Sequence, residues 1–108
     1  MAEEYRVILQ PEAIEGLESA YAYIKEQSPE RANEWVNGLI RAIETLKTFP
    51  ARCQIARESE HFQQEIRQLL YGKGGNAYRV LFTIVDDTVF VLHMRHGAQD
   101  TLRPDISS

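Results

Sequence analysis

Residues 11–50, PEAIEGLESAYAYIKEQSPERANEWVNGLIRAIETLKTFP, decide the fold. In the first half Ile14, Leu17, Tyr21 and Ile24 recur at helical spacing. In the second half Ala32, Trp35, Val36, Leu39, Ile40, Ile43 and Leu46 keep the same period. Pro11 suits the first turn of a helix, and Glu12 and Glu15 favour its positive N-terminal end. Ser28-Pro29 ends one helix and starts the next, with Ser28 as N-cap and Pro29 as first residue. The second helix should stop near Phe49-Pro50, because the residue before proline avoids the helical region. Two long helices with so short a joint must form an antiparallel hairpin. Gly16 and Gly38 each cost about 1 kcal/mol in a helix interior. With Ala13, Ala20 and Ala42 they suggest small-residue stripes where the two helices pack closely, against the plainer reading of two tolerated surface glycines.

Outward from the hairpin, strands appear on both sides. Tyr5 to Leu9 is short and rich in β-formers. After a polar, irregular stretch over 50–64, three more strands follow: Ile66 to Tyr71, Ala77 to Val85 and Thr88 to Arg95. Gly72-Lys73-Gly74-Gly75-Asn76 and Asp86-Asp87 are the turns between them. The order β-α-α-β-β-β gives an α+β fold: an antiparallel meander with the hairpin covering one face of the sheet. The other face is expected to be partly open.

Strand alternation then sorts side chains between the faces. Val80, Phe82, Ile84, Phe90, Leu92 and Met94 are expected toward the helices. Arg79, His93 and Arg95 are expected on the open face, with Arg67 on the neighbouring strand as a further cation. A two-residue turn would pair Phe82 with Val91 and mix the faces, so a loop of odd length pairing Phe82 with Leu92 is expected. Arg79 then lies opposite Arg95, a like-charge pair that an anion or an acidic partner would relieve. His96 falls on the core side by alternation.

The chain has 108 residues and a net charge of −4, the size of a single domain over 1–108 with a flexible tail at 101–108. Residues 1–65 carry 12 acidic and 7 basic side chains, and residues 66–108 carry 4 and 5. That balance is unlike a uniformly basic nucleic-acid binder. No apolar stretch approaches the length of a membrane span. The lone Cys53 has no partner for an internal disulfide, which suits a reducing cytoplasm. His93 and His96 face opposite ways on a strand, so no metal site is expected, and no cofactor motif is present.

The element order resembles the RelE/ParE toxin superfamily of plasmid-stabilising type II toxin–antitoxin systems. Tyr21-x-x-Ile24 before Ser28-Pro29, Leu46-x-x-Phe49-Pro50, Tyr78-Arg79-Val80 and His96-Gly97-Ala98-Gln99-Asp100 carry the resemblance over nearly the whole chain. It implies a cytoplasmic toxin held by a cognate antitoxin protein in a hetero-oligomer. ParE-like members poison DNA gyrase, whereas RelE-like members cut mRNA on the ribosome. The RelE-like pattern has two lysines on the strand before Tyr-Arg, the Arg after that Tyr, a later Arg and a tail Tyr. Here Arg79 matches the first arginine, Arg67 is the only basic residue on the preceding strand, Gln99 stands at the later arginine, and no Tyr follows Tyr78. The ParE-like branch is therefore the expectation. In the nuclease alternative Arg79 and Arg95 would hold the phosphate and His96 would act as base or acid.

Overall fold

The computed structural model describes residues 4–72 and 77–97. The Gly-rich turn at 73–76, Gln99 and the tail at 101–108 lie outside them. Strand β1 (Arg6–Leu9) leads into α1 (Pro11–Gln27), and α2 (Pro29–Glu44) returns antiparallel to it. Ser28 serves both helices: its N–H donates to the Ile24 carbonyl at 2.9 Å, and its Oγ accepts from the Arg31 N–H at 3.3 Å. The Tyr21 hydroxyl donates to Asn33 Oδ1 across the hairpin at 2.9 Å.

The second helix stops short of Phe49-Pro50. It ends at Glu44 and tightens into a 3-10 turn over Thr45–Lys47. Pro50 forbids a helical Phe49, which turns left-handed at φ 48. Such a conformation costs about 1–2 kcal/mol without a glycine. The Arg52 guanidinium offsets it by donating to the Thr45, Thr48 and Phe49 carbonyls and to Thr45 Oγ1.

Strands β2 (Arg67–Tyr71), β3 (Tyr78–Val85) and β4 (Thr88–His96) form the expected antiparallel meander. Strand β1 adds to it parallel to β4, giving the order β1-β4-β3-β2. The turn between β3 and β4 is the two-residue one, with Asp86 left-handed at φ 56, so Phe82 pairs with Val91 and not with Leu92. A bulge reconciles this with the core. Leu92 is the extra residue: Leu81 pairs with His93 while Phe82 pairs with Val91. Alternation restarts after it. Val89 and Val91 therefore join Val80, Phe82 and Met94 in the core beneath the helices. Phe90 and Leu92 do not take the helix-side places expected of them, and Leu92 packs instead with Leu81 and Ile66.

The glycines serve the helix–sheet contact and not the helix–helix contact. A Cβ on Gly16 would stand 3.1 Å from the Met94 carbonyl oxygen on β4. One on Gly38 would overlap the Tyr71 hydroxyl, which donates to the Trp35 carbonyl at 2.8 Å. Gly38→Ala should gain about 1 kcal/mol of helix propensity but lose that hydrogen bond and shift the ring. A net loss of about 1 kcal/mol is expected in urea unfolding, and Tyr71→Phe in the same chain should relieve part of it.

The face away from the helices is not open around β3. Residues 54–66 fold over it. The Ala56 N–H donates to the Ile66 carbonyl, the Gln68 N–H to the Gln54 carbonyl, the Ile66 N–H to Ser59 Oγ, and Thr83 Oγ1 to the Glu65 carbonyl. Ala56, Ile66 and Leu81 form a second small core there, with Phe62 and Leu92 packed on it. Backbone that lies over a sheet must find partners for its polar groups, and these bonds supply them.

Candidate functional site

The covering segment carries Glu58 into the protein. A 3-10 turn over Arg57–His61 sets its side chain against β3, and the residue is fully buried. Arg79 meets it there. Nη1 donates to Glu58 Oε2 at 2.8 Å, Nη2 donates to Oε1 at 2.5 Å, and Nε donates to Gln68 Oε1 at 3.0 Å. This is the fork geometry in which guanidinium and carboxylate bind most strongly. Arg79 is only 4% exposed. Its expected place on an open face is thus corrected: the loop over 54–66 buries it, and its charge is neutralised within the chain.

Arg95 lies opposite Arg79 as expected, and is half-buried. The like-charge opposition is eased from inside, where Arg79 donates with both Nη groups to Glu58. Arg67 is also occupied: it donates to the Ala51 and Cys53 carbonyls and pairs with Glu65 at 3.0 Å. Burial pushes the neighbouring Cys53 thiol up, although Arg52 and Arg67 pull it down, which favours the protonated thiol over the nucleophilic thiolate.

His93, thrown outward by the bulge, lines a cavity of about 250 Å³ with Gln10, Glu12, Phe62 and Leu81. Burial pushes its imidazole below the ordinary 6.5, with Glu12 opposing and Arg95 assisting. The folded chain then binds fewer protons at His93 than the unfolded chain does. Stability is fully present above the unfolded value and falls as pH drops toward the folded one. Between about pH 7.5 and about pH 5.5 the wild type should lose more stability than His93→Gln. Equal losses in paired urea titrations would contradict this.

His96 sits elsewhere. It pairs in register with Tyr78 on the helix side, their rings 5.1 Å apart and edge-to-face. Tyr78 in turn meets Trp35 of α2 at 5.1 Å. The three residues suggested for phosphate chemistry are therefore split across the sheet: Arg79 and Arg95 on one face, His96 on the other. Among the described residues no group of three or more His, Cys, Asp or Glu is placed to hold a metal, and no helix is long and apolar enough to cross a membrane.

The model of the ParE toxin of type II toxin–antitoxin systems, parDE, matches residues 7–101. The chain belongs to the ParE toxin family. In structure it is similar to a chain of the chromosomal ParDE TA system from P. aeruginosa, with a TM-score of 0.68 and 17% identity, over 86% of this chain and 96% of that one. Among curated proteins none matches in sequence. As a ParE-family toxin the chain keeps the arginine after Tyr78 but uses it inside its own core.

Two features of this ParE-family chain escaped the sequence. Glu58 reads as one more charge in the polar stretch over 50–64, and only the path of that loop brings it to Arg79. The aromatic group of Trp35, Tyr71, Tyr78 and His96 comes from four separated positions, and each residue alone reads as core.

Proposed function

We propose that this toxin, one domain acting in the cytoplasm, inhibits DNA gyrase without cutting RNA and is neutralised by a cognate antitoxin. The buried Arg79–Glu58 pair carries the reading. Holding a phosphate in the transition state needs a cation that can reach it. A guanidinium whose two Nη groups both donate to a buried carboxylate is withdrawn from that role. The separation of His96 from Arg79 and Arg95 supports the same conclusion, as does the lack of the lysine pair. Gyrase as target comes from the family, whose ParE-like members act on it.

The antitoxin contact is best supplied by the groove between β1 and the hairpin. Val7, Leu9, Leu17, Ile40 and Ile43 line a cavity of about 220 Å³, with Glu44 and Lys47 at its rim. Ile40 in its wall is 46% exposed, a large apolar side chain left on helix surface. Apolar side chains of an antitoxin segment that orders on binding would fill it. Apolar grooves flanking the hairpin are the expected seat of its hydrophobic side chains, and of the two arginines expected to receive its acidic ones Arg79 is already paired with Glu58.

Expression in cells tests both parts. Growth arrest is expected from the wild type, and equally from the paired substitution Arg79→Met with Glu58→Leu, which keeps the volume but discards the charges. Loss of arrest in that folded variant would favour the endoribonuclease reading. Ile40→Glu should keep the arrest and weaken antitoxin binding by at least about tenfold. Unchanged affinity would remove the groove from the interface.

A further inference from the structure

We infer that the cavity at the tip of the helix hairpin is a binding site for a planar aromatic anion of the mononucleotide class. The cavity measures about 360 Å³, within the range of about 300–1,000 Å³ of small-molecule sites. Four rings stand around it, those of Tyr23, Trp35, Tyr78 and His96. Flat π surfaces gathered in one place accept a flat partner such as a nucleobase, whatever its identity. The rings are held before any ligand arrives. Trp35 and Tyr78 lock edge-to-face at 65°, Tyr78 and His96 at 84°, and Tyr71 anchors the α2 backbone at Trp35 from behind. Tyr23, 63% exposed, stands at the rim and supplies the adjustable wall. Prior ordering lowers the entropy lost on binding.

The charge lining the cavity sets the sign of the ligand. In a chain of net charge −4, no carboxylate among the described residues lines this cavity, and its charged wall is Arg31. Arg31 lies in the first turn of α2, beside the N-cap Ser28, where the helix dipole also favours an anion. The guanidinium suits a phosphate, and Gln27 and Ser28 add polar atoms for a sugar. Burial, with Tyr23 adding to it, pushes the Tyr78 phenol up, so its hydroxyl stays protonated and can donate. The ring set and the cation together ask for one ligand with both an aromatic plane and a negative group.

Trp35 is the only tryptophan, so its fluorescence reports this cavity alone. Titration of the full chain with AMP should quench it saturably, with Kd between about 0.1 and about 1 mM. Adenosine, which lacks the charge, and ribose 5-phosphate, which lacks the plane, should each bind at least about tenfold more weakly. Arg31→Glu, at an exposed position, should weaken AMP at least about tenfold and leave adenosine unchanged. Absence of saturation up to about 10 mM AMP, or AMP affinity indifferent to Arg31→Glu, would overturn the assignment. So would ribose 5-phosphate binding as well as AMP. The toxin reading is independent of these outcomes, because growth arrest plays no part in them.

Discussion

Glu58→Gln should destabilise this chain by about 3–5 kcal/mol, the range for removing one partner of a buried ion pair. The substitution keeps the shape and removes the charge. Arg79, 4% exposed, is then left as a cation without its counter-charge in a place water does not reach. Domains of this size are stable by about 5–15 kcal/mol, so about a fifth or more of the total is at stake. The pair itself is a different matter. Desolvating both ions costs nearly as much as their attraction returns, and replacing both by apolar groups is often neutral. Arg79→Met with Glu58→Leu should therefore recover most of what Glu58→Gln loses. Urea midpoints of the three proteins decide it. A Glu58→Gln chain within about 0.5 kcal/mol of wild type would mean that the pair is not buried as described.

Gly16→Val should cost about 2 kcal/mol, and for a reason unlike that at Gly38. At Gly16 a Cβ would meet the backbone oxygen of Met94 at 3.1 Å and its Cβ at 3.3 Å. That strand, β4, lies between β1 and β3, hydrogen-bonded on both sides. It cannot retreat as the tip of a tyrosine can. Overpacking of this kind costs about 1–3 kcal/mol, and the few tenths that valine gains over glycine in a helix do not offset it. Shortening the strand residue by Met94→Ala should not rescue the variant, since the obstacles are the carbonyl and the Cβ itself. A Gly16→Val chain as stable as wild type would return Gly16 to the helix surface.

Much of this fold is legible in the sequence because its signals are local. The Ser28-Pro29 junction, the 3.6-residue period of Ile14 to Ile24 and Ala32 to Leu46, and the alternation in β3 each lie within one element. The bulge at Leu92 is not legible. A strand of alternating apolar residues looks the same with or without one extra residue, and only the two-residue turn at Asp86-Asp87 forces it. Allowing that turn would have moved Val91 to the core and Leu92 away from it. The surroundings of Arg79 are illegible for a related reason. Strand alternation turns Arg79 away from the helices, but what covers that face is an irregular segment whose path has no periodic signature. Glu58 reaches Arg79 across 21 residues of chain, through a bond that no spacing rule anticipates. The glycines misled in the same way: their small size signals close approach but does not say to what.

The proposed function has this ParE-family chain, its Arg79 sealed against Glu58, acting on gyrase and not on mRNA. DNA supercoiling by purified gyrase, with this protein added, tests it most directly. Supercoiling should fall as the protein is raised, should recover when the antitoxin is added, and should fall equally with the Arg79→Met, Glu58→Leu variant. Undiminished supercoiling, together with cuts in mRNA on ribosomes exposed to the same preparation, would contradict it.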